Sequence, residues 1–188
     1  MTYILIDFEA TCSDRNARSG PTVPRHEMEI IEIGAVALET TPPFQTLDEF
    51  QCFVRPVRHP HLTPFCTSLT SIEQHHVDAG EPFPVAAAGL KQWFWSFENP
   101  IFCSWGDYDR RQLEQDCRFH GVPFPLSSRH INIKKRFSAT QGLTRAYGMA
   151  GALRLVGLRL EGTHHRGIDD VRNMARLAPY IFGTEELS

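Results

Sequence analysis

Tyr3–Cys12 reads YILIDFEATC, an apolar, β-branched run that closes on an acid, a phenylalanine and a second acid. A short run of this kind between polar segments is the pattern of a strand buried on both faces, and Tyr3–Asp7 is expected to be one. Side chains two apart on a strand point the same way, so Asp7 and Glu9 should emerge side by side. Adjacent carboxylates repel each other unless one is protonated or a cation lies between them. A donor set made only of oxygen suits Mg2+ or Mn2+ rather than zinc. The competing reading is a strand end open to water, with both acids solvated.

Further strands are expected nearby. Glu29–Leu38 (EIIEIGAVAL) and Phe50–Val54 (FQCFV) follow the first, and three strands in succession suggest a meander. Between them, Asp14–Arg25 is polar and broken by Gly20, Pro21 and Pro24, a loop composition. The stretch from Pro56 to Pro64 reads as irregular. Helices are then expected over Ser71–Gly80 with Ser71 as N-cap, over Pro84–Phe97 with Val85, Leu90, Trp93, Phe94 and Phe97 inward, and over Tyr108–His120. Ile101–Trp105 and His130–Ile133 read as strands. Gly142–Tyr147 and Ala152–Leu155 suggest short helices, and Asp169–Phe182 a final one. Strands first, then helices alternating with strands, imply an α/β domain with a mixed sheet flanked by helices.

Length and composition agree with one domain. The chain has 188 residues, 41% of them hydrophobic and 22% charged, enough for a real core and too apolar for disorder. No apolar run is long enough to cross a bilayer, and Met1–Asp7 lacks the basic start and cleavage site of a signal peptide. A cytoplasmic location is expected. Five widely spaced cysteines with no C-x-x-C pair argue against a disulfide framework or a structural zinc site. A formal charge of −3 argues mildly against holding nucleic acid by bulk charge, but not against a locally basic rim.

Two later segments carry more acids. SWGDYDRRQL (Ser104–Leu113) places Asp107 and Asp109 at a strand-to-helix junction, where α/β sheets bind ligands; helix capping explains an Asp there equally well. HHRGIDDVRNMARL (His164–Leu177) sets a loop histidine, His165, before Asp169 and Asp170 at a helix start. Histidine titrates near neutrality, which suits a general base.

Together, DFEATC, HEMEIIEIGAV, LTPFCTSLTSIEQHHVDAG, SWGDYDRRQL, INIKKRF and HHRGIDDVRNMARL resemble the DEDDh (DnaQ-like) 3′–5′ exonucleases. Within them the chain is most similar to the ERI-1/3′hExo-like branch and its bacterial KapD-type relatives. The likeness runs from about Thr2 to Ile181 and implies an RNase H-like fold. It assigns residues 1–183 to one exonuclease domain and 184–188 to a tail. It implies that Asp7, Glu9, Asp109 and Asp170 hold two divalent cations, Mg2+ (or Mn2+), and that His165 is the general base. The family's aromatic-then-acid pattern selects Tyr108-Asp109 over Asp107, and its five-residue step from His165 selects Asp170 over Asp169. The implied reaction is hydrolysis of single-stranded nucleic acid, RNA by preference, from the 3′ end to nucleoside 5′-monophosphates. A DNA-directed exonuclease and a silent nucleic-acid-binding module are the alternatives. Phe8, Ala10, Thr11, Met28, Phe65 and Trp105 are the candidate substrate contacts, and Lys134, Lys135 and Arg136 could reach phosphates.

Overall fold

A computed structural model describes residues 1–188 apart from 15, 17–19, 184 and 188. Six strands form one mixed sheet: β1 (Thr2–Ala10), β2 (Ile30–Glu39), β3 (Thr46–Arg55), β4 (Glu81–Pro82), β5 (Pro100–Ser104) and β6 (His130–Asn132), in the order β4-β3-β2-β1-β5-β6. The β1–β2–β3 meander is antiparallel, whereas β5 runs parallel to β1, and β6 parallel to β5. Among the described residues, eight α-helices complete the order: α1 (Pro64–Thr70), α2 (Gln74–Asp78), α3 (Phe83–Phe94), α4 (Tyr108–His120), α5 (Ile133–Thr140), α6 (Met149–Leu155), α7 (Gly167–Arg176) and α8 (Ala178–Ile181).

Period-two alternation sorts β1 between two cores. Ile4, Ile6 and Phe8 enter one cluster with Phe83, Leu90 and Phe94 of α3 and Leu113 of α4. Leu5 enters the other, with Phe137 of α5, Leu153 of α6 and Val171 and Met174 of α7. Asp7 and Glu9 share the parity of Leu5, so they face the layer that contains α7.

The α7 layer comes close because two glycines meet. A Cβ on Gly34 of β2 would lie 2.2 Å from the carbonyl carbon of Gly167, and one on Gly167 would lie 3.1 Å from the Gly34 nitrogen. Gly34 is also the register partner of Asp7. The first turn of α7 therefore rests directly on the backbone beside the first acid.

Several local expectations need correction. Ser71 does not cap α2; it ends α1 in the left-handed region at φ 59°, and Glu73 caps α2 in a box with His76. The irregular stretch expected from Pro56 ends at Thr63, which caps α1, a helix that opens at Pro64 and was not expected. Val85 is 52% exposed, because the buried stripe of α3 falls on Phe83, Ala86, Ala87, Leu90 and Phe94. No helix forms over 142–147, since Gly142, at φ 60°, turns the chain at the end of α5. Helix α5 starts at Ile133, where a strand end was expected, because Asn132 caps it by accepting from the Lys135 amide. The last helix is broken: Leu177 separates α7 from α8, and Pro179 lacks the amide hydrogen that a continuous helix would need. No helix of the described residues is long and apolar enough to cross a membrane.

Gly34→Ala should cost about 3 kcal/mol, the upper range for overpacking against backbone that has nowhere to move. Urea denaturation checks this; a loss below about 1 kcal/mol would mean that α7 is not seated as tightly as described.

Candidate active site

β1 outruns its parallel neighbour. The β1–β5 pairing ends at Leu5–Cys103, and β5 gives way to α4 after Ser104. The amide of Phe8 is thus left without a strand partner and donates instead to Asp109 Oδ1 at 3.1 Å. Asp109, in the first turn of α4, is 3% exposed. Asp107 points elsewhere: it accepts from Asn132 Nδ2 at 2.9 Å and pairs with Lys135 Nζ at 3.4 Å. Of the two acids at this junction, Asp109 is the one that joins Asp7 and Glu9.

The fourth acid arrives on α7. Asp170 is buried, and its ligand oxygen lies within 4.8 Å of those of Asp7 and Glu9. Asp169 turns away, accepting from the Thr163 amide at 2.8 Å and reaching Arg172 at 3.5 Å. His165 sits in the left-handed region at φ 63°, and its amide donates to Asp170 Oδ2 at 3.2 Å. His164 Nδ1 lies 3.1 Å from Asp170 Oδ1, and its ring stacks on His165 with centroids 4.0 Å apart.

These side chains line one cleft of about 400 Å³. Of the candidate substrate contacts, Ala10, Met28 and Trp105 line it. Phe8 also lines it, although its side chain packs in the core cluster on the opposite face of β1. Trp105 donates its indole N–H to the Tyr147 carbonyl at 3.0 Å. The Met28 carbonyl accepts from Gln112 and Gln115, both at 2.8 Å. Phe65 lines an adjoining hollow that shares Cys12 and Met28 with the cleft. Thr11 lines neither: it is buried, with its hydroxyl accepting from the Glu29 amide at 3.0 Å. Two of the three expected phosphate contacts are already engaged, Lys135 with Asp107 and Arg136 with the Ile181 carbonyl and the Phe182 ring.

Glu32 and His164 are two members of the site that the sequence does not single out. Glu32, the β2 partner of Glu9, is fully buried. It accepts from the Gly167 amide at 3.0 Å and from Arg166 at 3.1 and 3.3 Å, so it caps α7 and fixes the approach of Asp170. Its place inside EIIEIGAV looks like an ordinary polar position on a strand. His164 is masked by its neighbour, which alone stands five residues before Asp170.

The electrostatics are those of a cation site. Burial holds the Asp7 carboxyl well above its usual range, reinforced by Asp109, Glu9 and Asp170. Burial raises Glu9 to about 9, with Asp170 and Glu32 adding to it. Asp109 is raised to about 7, burial outweighing the Phe8 amide. Asp170 is raised by burial, against the pull of His164. Burial and His164 together lower His165, which Asp170 partly offsets. Clustered oxygen donors that repel one another are matched by a hard divalent cation.

Comparison with known proteins gives a consistent result. The RNase_T family profile, described as Exonuclease, matches residues 4–178. Human ERI1 exoribonuclease 2 is 32% identical over 199 residues, covering 93% of this chain and 27% of that protein. Human ERI1 exoribonuclease 3 is 32% identical over 183 residues, covering 93% of this chain and 52% of that protein. The chain thus spans roughly a quarter to a half of these relatives. The nuclease domain of 3′hExo, a DEDDh family member solved bound to rAMP, superposes with a TM-score of 0.84 at 30% identity, covering 94% of this chain and 89% of that one.

Glu9 and Asp109 have folded-state values of about 9 and about 7, above their ordinary 4.5 and 3.8. Without a cation the folded protein therefore binds more protons than the unfolded chain. The stability contributed by these groups is present below about pH 4 and is lost as pH rises towards 9. Added Mg2+ or Mn2+ should raise the melting temperature by several degrees at pH 8.5 and by less at pH 5.5. A gain independent of pH, in melts run against EDTA, would show that the cation does not bind these acids.

Proposed function

We propose, because the chain belongs to the RNase_T exonuclease family and to the ERI1-like branch of its DEDDh members, that it is a 3′–5′ exonuclease of single-stranded nucleic acid with a preference for RNA. One observation carries the reading: Asp7, Glu9 and Asp170 converge within 4.8 Å, with His165 against Asp170, in one open cleft. The names of the relatives as exoribonucleases, and the rAMP bound to the 3′hExo nuclease domain, support RNA. The exonuclease domain is taken as residues 1–183 and the remainder, of which 184 and 188 lie outside the described residues, as a tail. Five free cysteines support a reducing, cytoplasmic setting.

The donor set is assigned to two divalent cations, Mg2+ (or Mn2+). Asp7, Glu9 and Asp170 would be the direct ligands, and Asp109, restrained by the Phe8 amide, would act through water. When bound, such ions stabilise charge on the phosphoryl oxygens and lower the pKa of water. His165 accepts the proton of the attacking water. Its imidazole is kept neutral by burial and by His164, the form a base requires. Attack at phosphorus breaks the bond to the 3′ oxygen, which leaves with a proton from solvent, and a nucleoside 5′-monophosphate departs. Ala10, Met28 and Trp105 contact the terminal nucleotide, Phe65 flanks it, and Phe8 and Thr11 contribute through the backbone that carries the acids.

Matched RNA and DNA oligomers labelled at either end, with Mg2+, Mn2+ or EDTA, test this. Stepwise shortening from the 3′ end is expected, faster on RNA and abolished by EDTA. His165→Ala should lower the rate by about 10²–10⁴-fold, and Asp7→Asn by at least as much. Shortening of DNA alone would reassign the substrate. Retained binding with no cleavage under any metal would leave a binding module.

A further inference from the structure

The cleft has an exit that its catalytic residues do not explain. Tyr108, on the cleft wall, also lines a trough of about 450 Å³ that continues along α4 and is bordered by Arg25, Arg111, Gln115 and Arg118. Tyr108, Arg111, Gln115 and Arg118 follow one another at steps of three, four and three, which places them on one stripe of the helix. Arg111 and Arg118, the two arginines of that stripe, are two turns apart, about 11 Å along the axis. Arg25 belongs to the 3-10 turn Arg25–Glu27, whose backbone is tied to the stripe where Gln115 donates to the Arg25 carbonyl at 3.4 Å.

Charge on this surface is unbalanced in one direction. The side chains of Arg25, Arg111 and Arg118 are exposed, and none has an acidic partner among the described residues. The acids nearby are engaged: Glu114 with Arg110 at 2.9 Å, and Glu27 with His59 at 2.9 Å and His26 at 3.6 Å. Three uncompensated guanidiniums on a protein of net charge −3 mark a place built for a polyanion. Guanidinium favours phosphate oxygens through its fork of donors. The other hollow adjoining the cleft is bordered by Cys12, Ser13, Asp14, Asn16, Val23, Met28 and Phe65, with no cation among these described residues.

We infer that the α4 stripe is the track of the substrate: the phosphodiester backbone on the 5′ side of the scissile bond leaves the cleft over Tyr108 and runs along Arg111, Arg25 and Arg118. The inference rests on the exonuclease reading and assigns to the same site a binding region beyond the terminal nucleotide. Affinity there comes from phosphates, so it is independent of base sequence and sensitive to salt.

The test compares the wild type with Arg25→Ala/Arg111→Ala/Arg118→Ala on a ladder of single-stranded oligoribonucleotides from the dinucleotide upward, over a range of KCl. In the wild type, KM should fall with length over the first few nucleotides and then level off. In the triple variant, KM for long oligomers should rise several-fold and its dependence on length flatten, while kcat/KM for the dinucleotide stays within about twofold. The slope of log KM against log salt should drop by ~2, at ~0.7 for each phosphate that is no longer neutralised. Unchanged length dependence and salt slope in an active triple variant would overturn the track and leave the exonuclease reading intact. If the wild type cleaves nothing, that reading fails separately. Fluorescence anisotropy of a labelled oligoribonucleotide on Asp7→Asn protein, with and without the three changes, then decides the track alone: equal affinities would overturn it.

Discussion

The first turn of α7 lies on the backbone of β2 with no side chain between them, and most of the site follows from that contact. Gly34 and Gly167 are the only residue type that permits it. Glu32, two residues from Gly34 and on the same face of β2, accepts the amide that opens the helix and holds the guanidinium of Arg166. A buried carboxylate at a helix N-terminus satisfies donors that the helix cannot satisfy itself. The helix is thereby fixed in height and rotation, and Asp170 is brought within reach of Asp7 and Glu9. Four carboxylates are forced into one small volume by packing on both sides of the sheet, and that compression gives the site its demand for positive charge.

The same logic distributes tasks along the chain. β1 supplies two acids because its alternation sends apolar residues to one core and acids to the other. Its overhang beyond β5 exposes an amide, and that amide captures Asp109. His165 has no regular element of its own; it is held at positive φ by the loop that closes on Asp170. Regular elements carry the four acids, and a loop carries the histidine beside them.

Much of this is legible in the sequence, for physical reasons. Tyr3–Asp7, Glu29–Leu38 and Ile101–Trp105 are strongly apolar runs of strand length, and all three are strands. Asp7 and Glu9 stand out as a same-face pair at a strand end, but water-exposed acids explain that pair as well, and it is the resemblance to the DEDDh exonucleases that names them together with Asp170. Asp109 and Asp107 cannot be separated by spacing alone; what separates them is the Phe8 amide on another element. Glu32 is invisible because Arg166 and the Gly167 amide, through which it holds α7, lie more than a hundred residues away. Helix α5 is hidden because Asn132 looks like any strand residue until its side chain caps the next turn. Val85 is misplaced by hydrophobicity alone, since a valine one position off the buried stripe simply faces water.

The sheet margins have a consequence of a different kind. One edge is β4, two residues long and ending in a proline; the other is β6, three residues long. Neither is long enough to template another strand, but β4 pairs only with Val54 and Arg55, so Thr46–Phe53 of β3 form the longer open margin, where the charged side chains of Asp48 and Glu49 discourage the addition of another chain. The long, apolar strands that would template aggregation, β1 and β2, are sealed in the middle of the sheet. An acidic site that strains the native state is therefore housed in a frame whose most apolar strands stay covered and whose one long margin carries charge.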